Sequence, residues 1–330
     1  MKFWALTSYF NPVGYRSRLE NYRLFRERLG LPLITVELGY EGGFQLDPKD
    51  ADVLLQIQGG ATLWQKERLL NLAIARLPDA CRFIAWIDCD VLFEDDSWVE
   101  SAARLLERQP IAQPFSRLVH LRRGELPETA APPEPASLRT SFASRWQAQS
   151  LPTDVFLRPE GTFECRCTCG MAWVARRELL DRHGLYDAMI LGLGDKHIAA
   201  AATGRAGDAV QCTEMSPVHG EHYRRWADPF WRDVCGDVGC VDGQIYHLWH
   251  GDLANRRYLQ RYRGFHEYAF DPTLDLAQDP TGAWRWGRDR QDLHRHVADY
   301  FHWRREDGEA EGGKADGQEP LAAVLAVDPD

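Results

Sequence analysis

Asp88 and Asp90 stand two residues apart after the apolar run Phe83-Ile84-Ala85-Trp86-Ile87, the pattern of a buried strand running into two carboxylates. In an extended strand alternate side chains share a face, so both acids would point the same way while the run behind them anchors the backbone in a core. Two such oxygens suit a hard divalent cation carrying the diphosphate of a nucleotide. Two acids at a strand end also fit a solvated turn, and the rest of the chain has to decide between these readings.

Other groups could join that chemistry. Lys66, Arg68 and Asn71 lie on a predicted helix just before the aspartate strand, where cationic and amide groups can meet a nucleotide; a solvent-facing amphipathic helix is the plainer alternative. In Gly192-Leu193-Gly194-Asp195 the glycines let backbone approach a ligand, and Asp195 is placed either as a general base or as a helix N-cap. His247 and His250 sit among aromatics, and a neutral imidazole from His250 can complete a metal shell begun by carboxylates. Cys165, Cys167 and Cys169 alternate along one predicted strand, which fits three zinc ligands or tight packing against a neighbour. His219-Gly220-Glu221-His222 matches no helical metalloprotease spacing and is expected to be a loop.

The elements that must position these residues alternate. A strand over 3–9, a helix over 17–29, strands over 33–38 and 53–57 and a helix over 63–75 lead into the aspartate strand. Such a βαβ order predicts an α/β fold with a mixed, mainly parallel sheet flanked by helices, whose ligands sit beyond the carboxyl ends of the strands. Asp95-Asp96-Ser97 offers N-caps to a helix through Leu106, and a strand starts at Ile111. Pro127, Pro132, Pro133, Pro135 and Pro152 predict a long irregular connection over 125–157. The chain is thus expected to divide into a first half at 1–124, that connection, a second half at 158–305 with an irregular C-terminal extension, and a disordered charged tail over 306–330.

Taken in order, the Thr7 to Asn11 strand end, the Lys66, Arg68 and Asn71 helix, Asp88-Cys89-Asp90 and the Gly194-Asp195 segment resemble a GT-A-type glycosyltransferase. The likeness is to family-2-like enzymes with a galactosyltransferase-type C-terminal segment, and it spans about residues 3–262. It implies transfer of a hexose from a nucleotide-diphosphate sugar, UDP-linked, to a carbohydrate or other hydroxyl acceptor, with inversion. It also implies a divalent ion, Mn2+ or Mg2+, nucleotide-sugar binding by the 1–124 half and acceptor binding and catalysis by the 158–305 half, and it implies roles: Asp90 on the metal, Asp88 near the ribose or on the metal through water, and His250 as the third protein ligand. Thr7, Ser8, Tyr9 and Asn11 would hold base and ribose, with Lys66, Arg68 and Asn71 at the donor, and Asp195 would be the general base. Enzymes of this kind carry a Gly-Gly-Glu-Asp run; here Gly194 replaces the glutamate, and Lys196 and His197 follow where acids are common.

Composition sets outer bounds. A chain of 330 residues, 44% hydrophobic, can bury a full core. A net charge of -10 opposes extended contact with nucleic acid. No apolar run reaches the roughly 18 residues of a membrane span, and the first ten residues read as a strand, so a cytoplasmic protein with mostly reduced thiols is expected. Two competing functions are weighed. A nucleotidyltransferase wants a basic glycine-rich loop near the N-terminus, and here the first basic residue after the opening strand is Arg16. A non-catalytic nucleotide-sugar or carbohydrate-binding module would use some of the twelve tryptophans for stacking.

Overall fold

The computed structural model describes residues 2–130, 138–151, 155–156, 167–258 and 260–308. The first half follows the expected order. Strand β1 (Phe3–Phe10) leads through α1 (Arg16–Arg28) to β2 (Leu33–Gly39) and β3 (Val53–Gln58), then through α2 (Lys66–Ile74) to β4 (Phe83–Ile87). Next come β5 (Val91–Phe93), α3 (Ser97–Leu106), β6 (Ile111–Gln113), β7 (Arg117–His120), β8 (Leu138–Ser141) and α4 (Phe142–Gln147). The second half contains β9 (Cys167–Thr168), β10 (Ala172–Arg176), α5 (Arg177–His183), α6 (Gly194–Ala202), α7 (Ala206–Cys212) and α8 (Pro217–Val234). It closes with β11 (Val238–Cys240), β12 (Gln244–His247), α9 (Pro272–Asp275), β13 (Leu276–Gln278), β14 (Trp284–Trp286) and α10 (Gln291–Trp303).

A seven-stranded sheet in the order β11-β6-β10-β4-β1-β2-β3 forms the centre. Strands β3, β2, β1 and β4 are mutually parallel, and β10 runs antiparallel between β4 and β6. Both faces of this sheet are covered. Ile84 and Trp86 of β4 pack into one apolar cluster while Phe83, Ala85 and Ile87 pack into the other, which is why the sequence shows an unbroken apolar run. The strand order reverses at β1, leaving a crevice beyond the carboxyl ends of β1 and β4. A second sheet, β5-β12-β7-β8-β9, flanks that crevice, and β13 and β14 pair separately.

Several expectations change. Strand β4 stops at Ile87, and Asp88 to Val91 form a turn closed by Val91 N–H donating to Asp88 O at 3.2 Å. The two aspartates therefore do not alternate along one extended strand. The connection expected to be irregular contains β8 and α4, the latter capped by Ser141 Oγ accepting from Ser144 N–H; its remaining proline-rich parts, 131–137 and 152–154, lie outside the described residues. His219 to His222 belong to α8, because Ser216 caps the helix and Pro217 fits its first turn. Asp195 is not an N-cap; Leu193, at φ 73, holds that position. Packed structure continues past the expected boundary, with Glu306 1% exposed and Asp307 accepting from the Arg16 and Ser17 amides that open α1. The rest of the expected tail, 309–330, lies outside the described residues, as does Cys165, while Cys167 and Cys169 are buried. Among the described residues no helix is long and apolar enough to cross a membrane.

Candidate active site

Strand β5 pairs antiparallel with β12, setting His247 opposite Val91, and Leu248 N–H donates to Asp90 O at 2.8 Å. Two backbone links thus hold the Asp90 turn against the end of β12. His250 Nε2 lies 3.0 Å from Asp90 Oδ2, His247 Nε2 lies 3.6 Å from Asp90 Oδ1, and the two imidazole Nε2 atoms are 3.1 Å apart. Among the described residues these three side chains form a candidate metal cluster, with donor atoms within 4.8 Å of one another. The donor set fits a divalent ion. Asp90 Oδ1 is buried without a hydrogen-bond partner, and two imidazoles beside one carboxylate favour manganese or another first-row ion over magnesium, which prefers oxygen.

The far sides of both rings are fixed. His250 Nδ1 faces Glu306 Oε1 at 3.5 Å, and His247 Nδ1 meets His120 Nδ1 at 3.1 Å, contacts that leave each Nε2 turned toward Asp90. Gly251 makes the Glu306 approach possible: at φ 84 it turns the chain, and a Cβ there would stand 2.8 Å from Arg305 O. Burial pushes His247 well below its ordinary value and His120 down to about 3, so both are neutral and available as donors of a lone pair. Burial alone would raise Asp90, but the contact with His250 and the Arg256 guanidinium outweigh it and hold the carboxyl ionised. Arg256 Nη2 now donates to His250 Nε2 at 2.7 Å, so an ion at this nitrogen and that contact exclude each other.

Guanidinium groups surround the cluster. Arg18, Arg256, Arg261 and Arg304 line the same pocket as Asp90 and His250, and Glu306 takes Arg18 at 3.0 Å and Arg304 at contact distance. The Nε–H groups of Arg18, Arg256 and Arg261 are buried without partners. Unsatisfied buried donors of this kind are costly in an empty protein and fit an anion that supplies acceptor oxygens.

Across the pocket the signs reverse. Lys66, at the start of α2, bridges Asp88 Oδ1 at 2.5 Å and Asp195 Oδ2 at 2.7 Å. Gly192 (φ 84) and Leu193 (φ 73) are both left-handed, a turn that starts α6 at the pocket and brings Asp195 to it in the first helical turn. Asp195 Oδ1 is buried and unpartnered. Burial raises Asp88 to about 6, with Lys66 opposing and Asp195 and Asp90 adding to the rise.

The residues expected from the sequence therefore separate. Thr7, Ser8, Lys66, Asp88, Asp90, Asp195 and His250 line one pocket. Tyr9 and Asn11 line a second cavity of about 650 Å³ beyond the ends of β1, β2 and β3, together with Glu37, Tyr40 and Gln58. Arg68 and Asn71 are in neither: both bind Asp187, at 3.3 and 3.1 Å, and Arg68 stacks on Trp284. Asp88 is outside the converging donor atoms, since the turn directs it to Lys66. His247, Glu306 and the arginine group complete the site unforeseen. The spacing His247-Leu248-Trp249-His250 was the available signal for the first.

No protein-family model and no curated protein matches the chain. Solved structures resemble it distantly. Residues 1–349 of S. aureus TarS in complex with UDP-GlcNAc match at 11% identity over 83% of this chain and 74% of that one, TM-score 0.38; against a longer TarS chain the match spans only 33% of its length. A 4-diphosphocytidyl-2C-methyl-D-erythritol synthase from Anaerococcus prevotii matches at 10% identity over 73% and 86%, TM-score 0.31. A mutant Drosophila beta-1,4-galactosyltransferase 7 in complex with manganese, UDP-Gal and xylobiose matches at 14% identity over 63% and 62%, TM-score 0.27. Likeness at this level carries no argument about activity.

Proposed function

We propose that this protein is a metal-dependent glycosyltransferase that moves a sugar from a nucleotide-diphosphate donor, UDP-linked, to an acceptor hydroxyl with inversion. The observation that carries the reading is a single pocket at the carboxyl ends of β1 and β4 with three kinds of unmet demand. It holds a carboxylate and two imidazoles in ligand geometry, buried guanidinium N–H groups without acceptors, and the unpartnered Asp195 Oδ1. A diphosphate, a divalent ion and a hydroxyl would answer these demands together.

Asp90, His247 and His250 would hold the ion, whose charge would offset that growing on the diphosphate oxygens as the sugar leaves. Arg18, Arg256, Arg261 and Arg304 supply the remaining positive field, and the cavity lined by Tyr9, Asn11 and Tyr40 is the place for the nucleoside. Lys66 fixes Asp195 through Oδ2 and leaves Oδ1 to accept the proton of the acceptor hydroxyl. The acceptor oxygen then bonds to the anomeric carbon as the bond from that carbon to the diphosphate breaks, its electron pair leaving with the nucleotide. A positioned base is worth about 100- to 10,000-fold in such a step.

Incubation with a panel of UDP-sugars and simple saccharides, and separately with UTP and sugar phosphates, with manganese or after chelation, tests the reading. Metal-dependent release of UDP with a product anomer inverted relative to the donor is expected. A retained anomer would remove Asp195 as base, and release of pyrophosphate from a nucleoside triphosphate would make the protein a nucleotidyltransferase.

A further inference from the structure

Glu67 is a buried acid of the pocket for which the reaction above has no task. It follows Lys66 in the first turn of α2, is 2% exposed, lines the pocket with Asp195, and its Oε1 has no hydrogen-bond partner. Its position is set by a glycine on another helix. A Cβ built on Gly194 would collide with Oε1 and Cδ of Glu67 and stand 2.9 Å from its Cγ. The carboxyl of Glu67 thus fills the volume that a side chain at position 194 would take, immediately before Asp195.

We propose that Glu67 is an acceptor-binding residue that hydrogen-bonds a hydroxyl of a neutral, polyhydroxylated acceptor next to the hydroxyl that Asp195 deprotonates. This rests on the glycosyl-transfer reading of the pocket. The chemistry follows from the charges. Asp88 and Asp195 share one ammonium, Lys66, so this side of the pocket disfavours an acceptor bearing phosphate or carboxylate. Burial is the chief cause that raises Glu67 to about 8, with Lys66 opposing and Asp195 adding to the rise, so near neutral pH the group keeps its proton. A protonated carboxyl both donates and accepts, whereas a carboxylate acting as base accepts only, and the two together match adjacent hydroxyls of a sugar ring.

The test uses the full chain with defined probes. Binding of methyl glycosides of glucose, galactose, mannose and N-acetylglucosamine is followed by saturation-transfer NMR with UDP and manganese present, and the thermal shift given by UDP with manganese is read in parallel. At least one glycoside binds the wild type; Glu67→Ala weakens it by about tenfold or more, while Glu67→Gln, which keeps a donor and an acceptor, stays close to wild type. Gly194→Ala leaves Glu67 chemically intact, and by displacing it produces the same loss. Combining Glu67→Ala with Gly194→Glu restores binding by returning the acid to the same volume. Glycoside binding unchanged in both Glu67→Ala and Gly194→Ala, or absent from the wild type, overturns the proposal, and an intact UDP-manganese shift then leaves the donor-site reading standing. A lost UDP-manganese shift with Glu67-dependent glycoside binding has the opposite meaning: the donor site is wrong and the role of Glu67 holds.

Discussion

The two sides of the pocket use the same residue types to opposite ends. Around Asp90 and Glu306, acids are outnumbered by Arg18, Arg256, Arg261 and Arg304, and buried N–H groups wait for acceptors. Around Lys66, Asp88 and Asp195 share one cation, and carboxyl oxygens of Asp195 and Glu67 are left unpartnered. Counter-charge, more than residue identity, therefore divides the pocket, and the proposed reaction assigns the first side to an anion with a metal and the second to a neutral group that gives up a proton. Asp88 and Asp90, two positions apart, fall on different sides of that division.

The difference can be broken at its sharpest point first. Asp195→Asn keeps the contact with Lys66 but removes the proposed base, so turnover should fall by about 100- to 10,000-fold with UDP affinity unchanged; steady-state kinetics beside a UDP titration checks both halves. Glu306→Gln attacks the other side. It loosens the partner of His250 Nδ1, and should weaken manganese affinity by about 10- to 100-fold, measured by electron paramagnetic resonance. The smallest effect is on stability. Glu67 rises from an ordinary 4.5 to about 8 on folding, so it binds a proton in the folded state, and stability falls as pH rises between those values. Glu67→Gln removes that dependence: melting temperatures of wild type and variant should meet near the acid end of this window, with the variant several degrees higher at the alkaline end.

Local pattern made much of the fold legible and only part of the site. Apolar runs and turn residues located β1 through β4 and both intervening helices, because each signal lies within a few residues. Strand β8 and α4 are masked by the proline-rich composition around them, and the start signal of α8 lies at Ser216 and Pro217, ahead of the histidine spacing. The alternation argument for Asp88 and Asp90 failed at one residue, since β4 ends at Ile87 and a turn, once entered, no longer keeps a period of two. His247 could join Asp90 only through the β5 and β12 pairing, and Glu306 only through a chain end that packs on α1 and His250. Those are long-range contacts, for which a charged, glycine-rich tail gives no local sign. Arg68 and Asn71 show the converse: a helix beside the site presented them as ligand groups, while their partners on the loop at Leu185 and Asp187 make them structural.

UDP binding measured calorimetrically with and without manganese, in the wild type and in Asp90→Ala, His247→Ala and Asp88→Ala, tests the division most directly. Manganese should tighten UDP binding in the wild type and in Asp88→Ala, and this enhancement should disappear in Asp90→Ala and His247→Ala while metal-free binding to the arginines persists. Equal binding with and without manganese in the wild type, or an enhancement that survives Asp90→Ala and is lost in Asp88→Ala, would contradict it.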